Sequence, residues 1–439
     1  MDRLKAVNAV HARVAGGLLS NRNFLLLFSG KIVSQLGDQV YAFALSWYIL
    51  DLTRSSVQMA VFLVIETLVV AITSPLGGIL ADRRDRKGIL VWMDGLRGLA
   101  VLAAAFLLSQ HWLRIWMLYI CAILLGVCGA LFAPAAGAII PNIVDERQLG
   151  KATSASQFTG SLCTMLGMLI SGLLYRWIGL LAIFLLNAGS FFVSGVMEAA
   201  LQAPSRLPPS TPAPSAPPVA LRRRLGGMAA QLADGCQMLR ANGLVADLLI
   251  MNAIFNFVAL PIPLVYLPYF FNVVLRASPV DLALPQAAIW LGMIAGSLVV
   301  SAALRHCRLK TLILRGLLLL GLCTLAGIPW FVPQFASQFT SRQVSLAWAF
   351  TSLICGLAVN LFTIPMYVIY QRRTADAFRG RFWGIENAVR TSALAGSVFV
   401  AGFLAQRVWL GGLFGGTAVA LGGLACWAVR RPAIRACDD

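Results

Sequence analysis

Lys31, Ser34, Gln35 and Asp38 stand at positions i, i+3, i+4 and i+7 of an otherwise apolar run, which places them along one stripe of a helix. An ammonium, two hydrogen-bonding groups and a carboxylate on one face can hold a polar molecule or exchange a proton. Glu66, in Val64-Ile65-Glu66-Thr67, is a second carboxylate embedded in apolar neighbours. A charge inside lipid costs about 2.5 to 3.5 kcal/mol on insertion scales, so each one is a candidate site. Asp38 and Glu66 are the proton-coupling candidates, with Lys31, Ser34 and Gln35 as lining groups. Each also has a purely architectural reading. Asp38 would then be part of a polar clamp between helices, Lys31 would snorkel to the membrane surface, and Glu66 would bond a neighbouring helix.

The elements that must carry these groups follow from composition. Of 439 residues, 59% are apolar and 12% charged, too apolar for soluble domains. About twelve runs approach the roughly 20 residues needed to cross the hydrocarbon. They begin near Phe24, Ser56, Gly88, Ile115, Thr153 and Leu180, then near Leu244, Gln286, Thr311, Val344, Ile385 and Leu410. None alternates like a barrel strand, and backbone in lipid must satisfy itself, so these are helices. The expected fold is an all-α membrane protein with twelve transmembrane helices in two pseudo-symmetric six-helix bundles. Residues 1–202 form the first bundle and 242–439 the second. Between them, 203–241 is a cytoplasmic linker: Gln202 to Ala220 is too proline-dense for a helix, and Met228, Leu232, Cys236 and Leu239 fit one face of an amphipathic helix.

A net charge of +18 raises nucleic acid as a partner. Placement argues otherwise. With a cytoplasmic amino terminus, roughly 27 of the 35 Lys and Arg fall on the cytoplasmic side and about 6 outside, as positive-inside topology requires. Both termini are then cytoplasmic, and Met1 to Asn23 has no apolar core of a signal peptide. The nine cysteines are scattered without CxxC spacing and read as small packing residues. No cofactor or metal site is expected. Three histidines without plausible partners leave catalysis short of parts, and the lack of a GxxxxGK[ST] loop disfavours an ATP-driven pump.

A repeat test supports two related halves. At an offset of about 223, Arg305 to Lys310 overlies Asp82 to Lys87, keeping cations and losing the aspartates. A weaker echo pairs Pro141 to Arg147 with Asp376 to Arg381.

The loop Gly78-Ile79-Leu80-Ala81-Asp82-Arg83-Arg84-Asp85-Arg86-Lys87 resembles the signature between the second and third helices of major facilitator superfamily transporters. With Ser34 to Asp38, Leu186 to Phe192 and Arg379 to Gly384, the chain is similar to the branch holding macrolide-efflux proteins and enterobactin-type siderophore exporters. Three departures stand out. Asp85 occupies a usual glycine position, no arginine lies in Ile115 to Ile140, and Met168 stands where a helix-bending proline is common beside Gly160, Gly167 and Gly172.

The resemblance implies a monomeric secondary transporter of the bacterial cytoplasmic membrane, exporting a drug-like or siderophore-like small molecule against protons by alternating access. A lipid or lysophospholipid flippase is the alternative, and uptake of a nutrient is a third reading, since these residues do not set direction. It also implies a gating loop: Gly78 for close helix contact, Asp82 at the amino-terminal end of the eleventh helix where the dipole favours an anion, and Arg86 with nearby carboxylates as a latch, alongside Arg83. The competing reading is a set of cytoplasmic charges obeying topology, which suits Arg84 and Lys87. Asp94 and Arg97, three apart, and Glu386 and Arg390, four apart, can pair along their helices. Asn252, Asn256 and Asn360 could bond cargo or neighbouring helices.

Overall fold

The computed structural model describes residues 21–144, 146–202, 243–303, 307–374 and 379–431, which are helical with short connections. The first half comprises α1 (Arg22–Thr53), α2 (Ser56–Arg83), α3 (Arg86–Ser109), α4 (Ile115–Ile143) and the run Glu146–Ala199. That run is broken at Gly179, whose φ of 73° and ψ of 176° belong to a region glycine alone enters cheaply. It therefore divides into α5 (146–178) and α6 (180–199). The second half holds α7 (Gly243–Ala259), α8 (Pro279–Ala303), α9 (Leu309–Gly327), α10 (Ser341–Arg373), α11 (Arg379–Arg407) and α12 (Leu410–Arg430). Starts expected near Thr153, Gln286 and Ile385 fall several residues inside the observed helices. Polar and proline residues such as Arg147, Pro285 and Arg381 extend helices beyond their apolar portions.

Ten of these runs are long and apolar enough to cross a membrane. Phe158–Ala199 counts as one of them despite its break, and α1 is not among them. At 32 residues α1 has ample length. The polar stripe that makes it a candidate site also lowers its apolarity. After α7 the chain continues through π-helical turns at Ile262–Tyr266 and Phe270–Val274. Pro261, Pro263 and Pro268 withdraw backbone donors there, and the wider turns accommodate the loss.

The chain divides into two compact units, Met1–Tyr48 with Ile65–Ala213, and Ile49–Val64 with Pro214–Asp439. Residues 49–64, the end of α1 and the start of α2, thus group with the second unit. Within it Ser56 Oγ donates to the Gly402 carbonyl at 2.6 Å, and Arg54 to the Asn272 carbonyl at 3.3 Å. The proposed linker, 203–241, lies wholly outside the described residues, as do 304–306 and 375–378.

In the first unit α3 packs against α4 and the α5–α6 run, with Leu90, Ala135 and Ile139 fully buried among Phe24 and Leu27. In the second, α8 packs on α10 and α9 on α10 and α12 around Leu248, Leu317, Phe362, Tyr370 and Leu421. Small residues set the closest approaches, as membrane helices require. A Cβ at Gly292 would fall on the Leu353 carbonyl, and one at Gly356 on that of Ile289.

The same test corrects the expected role of Gly78. A Cβ there meets nothing within 4 Å, whereas one at Gly77 would collide with the Ala130 carbonyl of α4. Neighbouring helix positions face about 100° apart, so close contact belongs to Gly77. Gly77→Val should destabilise the detergent-solubilised protein by about 1–3 kcal/mol, while Gly78→Ala stays within about 0.5 kcal/mol. Thermal unfolding of the two variants checks this, and equal shifts would contradict it.

Candidate functional site

The stripe on α1 faces one cavity. Lys31, Ser34, Gln35 and Asp38 all line a space of about 590 Å³ in the first unit, closed by Arg97 of α3, Phe132 and Gly129 of α4, and Leu149 and Ser156 of α5. Helical spacing thus turns four sequence positions into one wall. Glycines let that wall sit close to its neighbours: a Cβ at Gly37 would come within 2.5 Å of Ser190 Oγ and 2.6 Å of Asn187 Oδ1 on α6. A Cβ at Gly167 of α5 would likewise press on the Gln39 side chain.

Each polar group in the wall has a distinct situation. Lys31 Nζ donates to Ser156 Oγ at 2.7 Å, which holds the ammonium in the cavity wall. Gln35 Oε1 is buried and has no hydrogen-bond partner among the described residues, leaving an acceptor for a donor on cargo. Asp38 is half-buried, with Arg97 and the Asn187 amide as its electrostatic neighbours. Seven residues separate Lys31 from Asp38, about 10 Å along the axis, so positive and negative ends of the stripe are well apart.

Arg97 is the hub. Its guanidinium stands 3.3 Å from Asp94 Oδ1 and lies over the rings of Phe132 and Phe191, at 5.0 and 5.4 Å from their centroids. Gly129 makes room for it, because a Cβ there would approach Arg97 Nη2 to 2.7 Å. The pair expected from the i, i+3 spacing is present. Its setting was not expected: Asp94 is fully buried while Arg97 reaches the cavity. Sequence reading also missed Glu198 of α6, fully buried in the same neighbourhood and accepting from Ser194 Oγ at 3.4 Å. A glutamate one turn beyond a serine, at the tail of an apolar run, was the available signal.

The remaining candidates sit apart. Glu66 is exposed on α2 and does not line the cavity, although Asp38 and Tyr41 lie within its electrostatic reach. In the second unit Asn252 Nδ2 donates to Glu386 Oε1 at 3.0 Å, and Asn256 Nδ2 to Asn252 Oδ1 at 2.9 Å. Asn360 Nδ2 donates to the Met293 carbonyl of α8. The Asn252 and Asn360 donors join neighbouring helices, whereas that of Asn256 stays within α7. Glu386 also stands 3.9 Å from Arg390, the expected i, i+4 pair.

In the signature loop, the side chains of Asp82 and Arg83 lie outside the described residues. Among the described residues, the partners of Arg86 are carbonyl and amide oxygens, not the carboxylates expected. Arg86 donates to the carbonyls of Ala81 and Ala138 at 3.2 and 2.8 Å and to Asn142 Oδ1 at 3.3 Å, tying α2 and α3 to the end of α4. The Ala81 carbonyl, in the last turn of α2, is among those a helix end leaves bare and is a natural acceptor for a cation. Asp85 caps α3 by accepting from the Gly88 N–H at 3.1 Å, and Lys87 donates to the Leu201 carbonyl at 2.9 Å.

Comparison with known proteins supplies a family. The model described as Major Facilitator Superfamily matches residues 27–398. Macrolide efflux protein A of Streptococcus pyogenes is 24% identical over 390 residues, covering 88% of this chain and 90% of that protein. Multidrug resistance protein MdtG of Salmonella typhi is 37% identical over 123 residues, covering 28% of this chain and 29% of that protein. Among solved structures, a bacterial homologue of the iron transporter ferroportin in an inward-facing state superposes with a TM-score of 0.69 at 16% identity, covering 97% of this chain and all of that one. At that identity the likeness is one of fold.

Proposed function

Since the chain belongs to the Major Facilitator Superfamily and is a multi-pass membrane transporter of small molecules, not an enzyme, we propose that it is a proton-coupled exporter of drug-like compounds. The observation that carries this reading is the cavity of the first unit: a carboxylate, an ammonium and an unpartnered amide oxygen on one helix stripe, faced by aromatic and aliphatic walls. Such a mixture suits an amphipathic molecule with a few polar groups. Efflux of macrolides by a relative that aligns along most of the chain supports export as the direction and a bulky organic compound as cargo. Siderophore-like cargo shares the same requirements of size and polarity.

In this reading α1 and α5–α6 complete twelve spans in two bundles, 1–202 and 242–439, linked by 203–241. The protein works as a monomer in the bacterial cytoplasmic membrane with both termini inside. Asp38 exchanges a proton with cargo release, Lys31, Ser34 and Gln35 orient cargo, and Glu66 modulates Asp38 from α2. The loop with Asp82 and Arg86 times the motion, Arg86 by holding α2, α3 and α4 together. A panel of macrolides, catecholate and hydroxamate siderophores, and lysolipids offered to energised inverted vesicles tests the cargo class. Macrolide accumulation above that of vesicles lacking the protein is expected. Lysolipid movement alone would overturn the reading in favour of a flippase.

A further inference from the structure

Behind the cavity wall lies a group of charges that cargo does not touch. Asp94 and Glu198 are both fully buried. One oxygen of each is engaged, Asp94 Oδ1 by Arg97 and Glu198 Oε1 by Ser194, and the other of each, Asp94 Oδ2 and Glu198 Oε2, has no hydrogen-bond partner among the described residues. The facing groups can be named helix by helix. α3 contributes Arg97 and Asp94, α6 contributes Ser194, and α1 contributes Asp38, with Gly30 packed on Ser194. Lys87 and Lys31 are committed elsewhere, to the Leu201 carbonyl and to Ser156. Arg97 is thus paired with Asp94, and two further carboxyl groups, Asp38 and Glu198, lie within its electrostatic reach.

Two ionised carboxylates around a single cation leave a surplus negative charge, and a buried charge without a partner is the most expensive arrangement available. A proton on one carboxyl removes the surplus. Asp94 already has the guanidinium, so the proton falls to Glu198. We propose that Glu198 is a second proton-binding site, set against Asp94 and linked to the cavity by Arg97, the group they share. Arg97 keeps its own protons throughout. It acts by choosing a partner: when it leaves Asp94 for Glu198, the glutamic acid O–H bond breaks, the electron pair stays on Oε2, and Asp94, now without its cation, takes up a proton on Oδ2. When Arg97 returns to Asp94, Glu198 takes a proton back. Asp38, on the cavity side of the same guanidinium, biases this choice whenever cargo or a proton occupies it. The site thereby couples cargo to a proton it never contacts, and it rests on the proton-coupled reading above.

Infrared difference spectroscopy on the reconstituted full chain reads the site without relying on transport. The wild type should show a protonated-carboxyl C=O band that disappears as pH rises. Glu198→Gln should lose that band while the protein remains folded by size-exclusion chromatography. Glu198→Asp should restore a titrating band at a shifted frequency, and Asp38→Asn should retain the Glu198 band. An unchanged band in Glu198→Gln overturns the proposal. Should the wild type lack proton-coupled cargo flux while the Glu198 band behaves as described, the coupling reading fails and the proton site stands.

Discussion

Asp38→Asn should lower gradient-driven export at least about tenfold in inverted vesicles, with the protein present in the membrane at its normal level. Asp38 is the acidic end of the cavity stripe and faces Arg97. An amide of nearly the same size keeps the packing against α6, but it cannot carry a proton or a negative charge. A loss of about 1.4 kcal/mol at the coupling step is enough for a tenfold fall in rate, and an attraction between unit charges 4 Å apart reaches about 4 kcal/mol at an effective dielectric near 20. Cargo flux normalised to immunoblotted protein is the measurement. Wild-type flux in Asp38→Asn would return Asp38 to the role of a polar clamp.

Replacing Arg97 should have the largest effect on stability. In Arg97→Met the buried Asp94 loses its ion pair and Glu198 loses its cationic neighbour. Breaking a buried pair from one side costs about 3–5 kcal/mol, and the contacts with the Phe132 and Phe191 rings each add on the order of 0.5–2 kcal/mol. The expected result is poor recovery from the membrane and a sharply lowered unfolding temperature in detergent. Removing the stranded charge should reverse part of this: Arg97→Met with Asp94→Asn is expected to be more stable than Arg97→Met alone, a coupling that the double-mutant comparison isolates. Arg97→Lys should fall between, because the ammonium keeps the charge and lacks the planar fork. If Arg97→Met unfolds at the wild-type temperature, the buried cluster is not held by this arginine.

The residues that were legible in the sequence are those whose geometry is local. Lys31, Ser34, Gln35 and Asp38 share a stripe because of helical spacing alone, and all four line one cavity. Asp94 with Arg97 and Glu386 with Arg390 pair for the same reason. What stayed hidden depends on which helices meet. Glu198 is unremarkable in sequence and becomes central because α6 lays it beside Asp94. Gly77 and Gly78 are indistinguishable until α4 presents the Ala130 carbonyl to one of them. Arg86 is a loop cation among several, and only the fold brings it the Ala138 carbonyl and Asn142. The break at Gly179 was legible as a boundary between two spans, while the π-helical turns after α7 were not, since a proline predicts disruption without predicting its form.

Proton movement during export decides whether cargo and proton share this machinery. In inverted vesicles carrying an established inward acid gradient, a pH-sensitive dye should report dissipation of the gradient on adding a transported macrolide, and Asp38→Asn should abolish that response. Macrolide accumulation that leaves the dye signal unchanged in the wild type, or that survives collapse of the gradient by a protonophore, would contradict proton-coupled export.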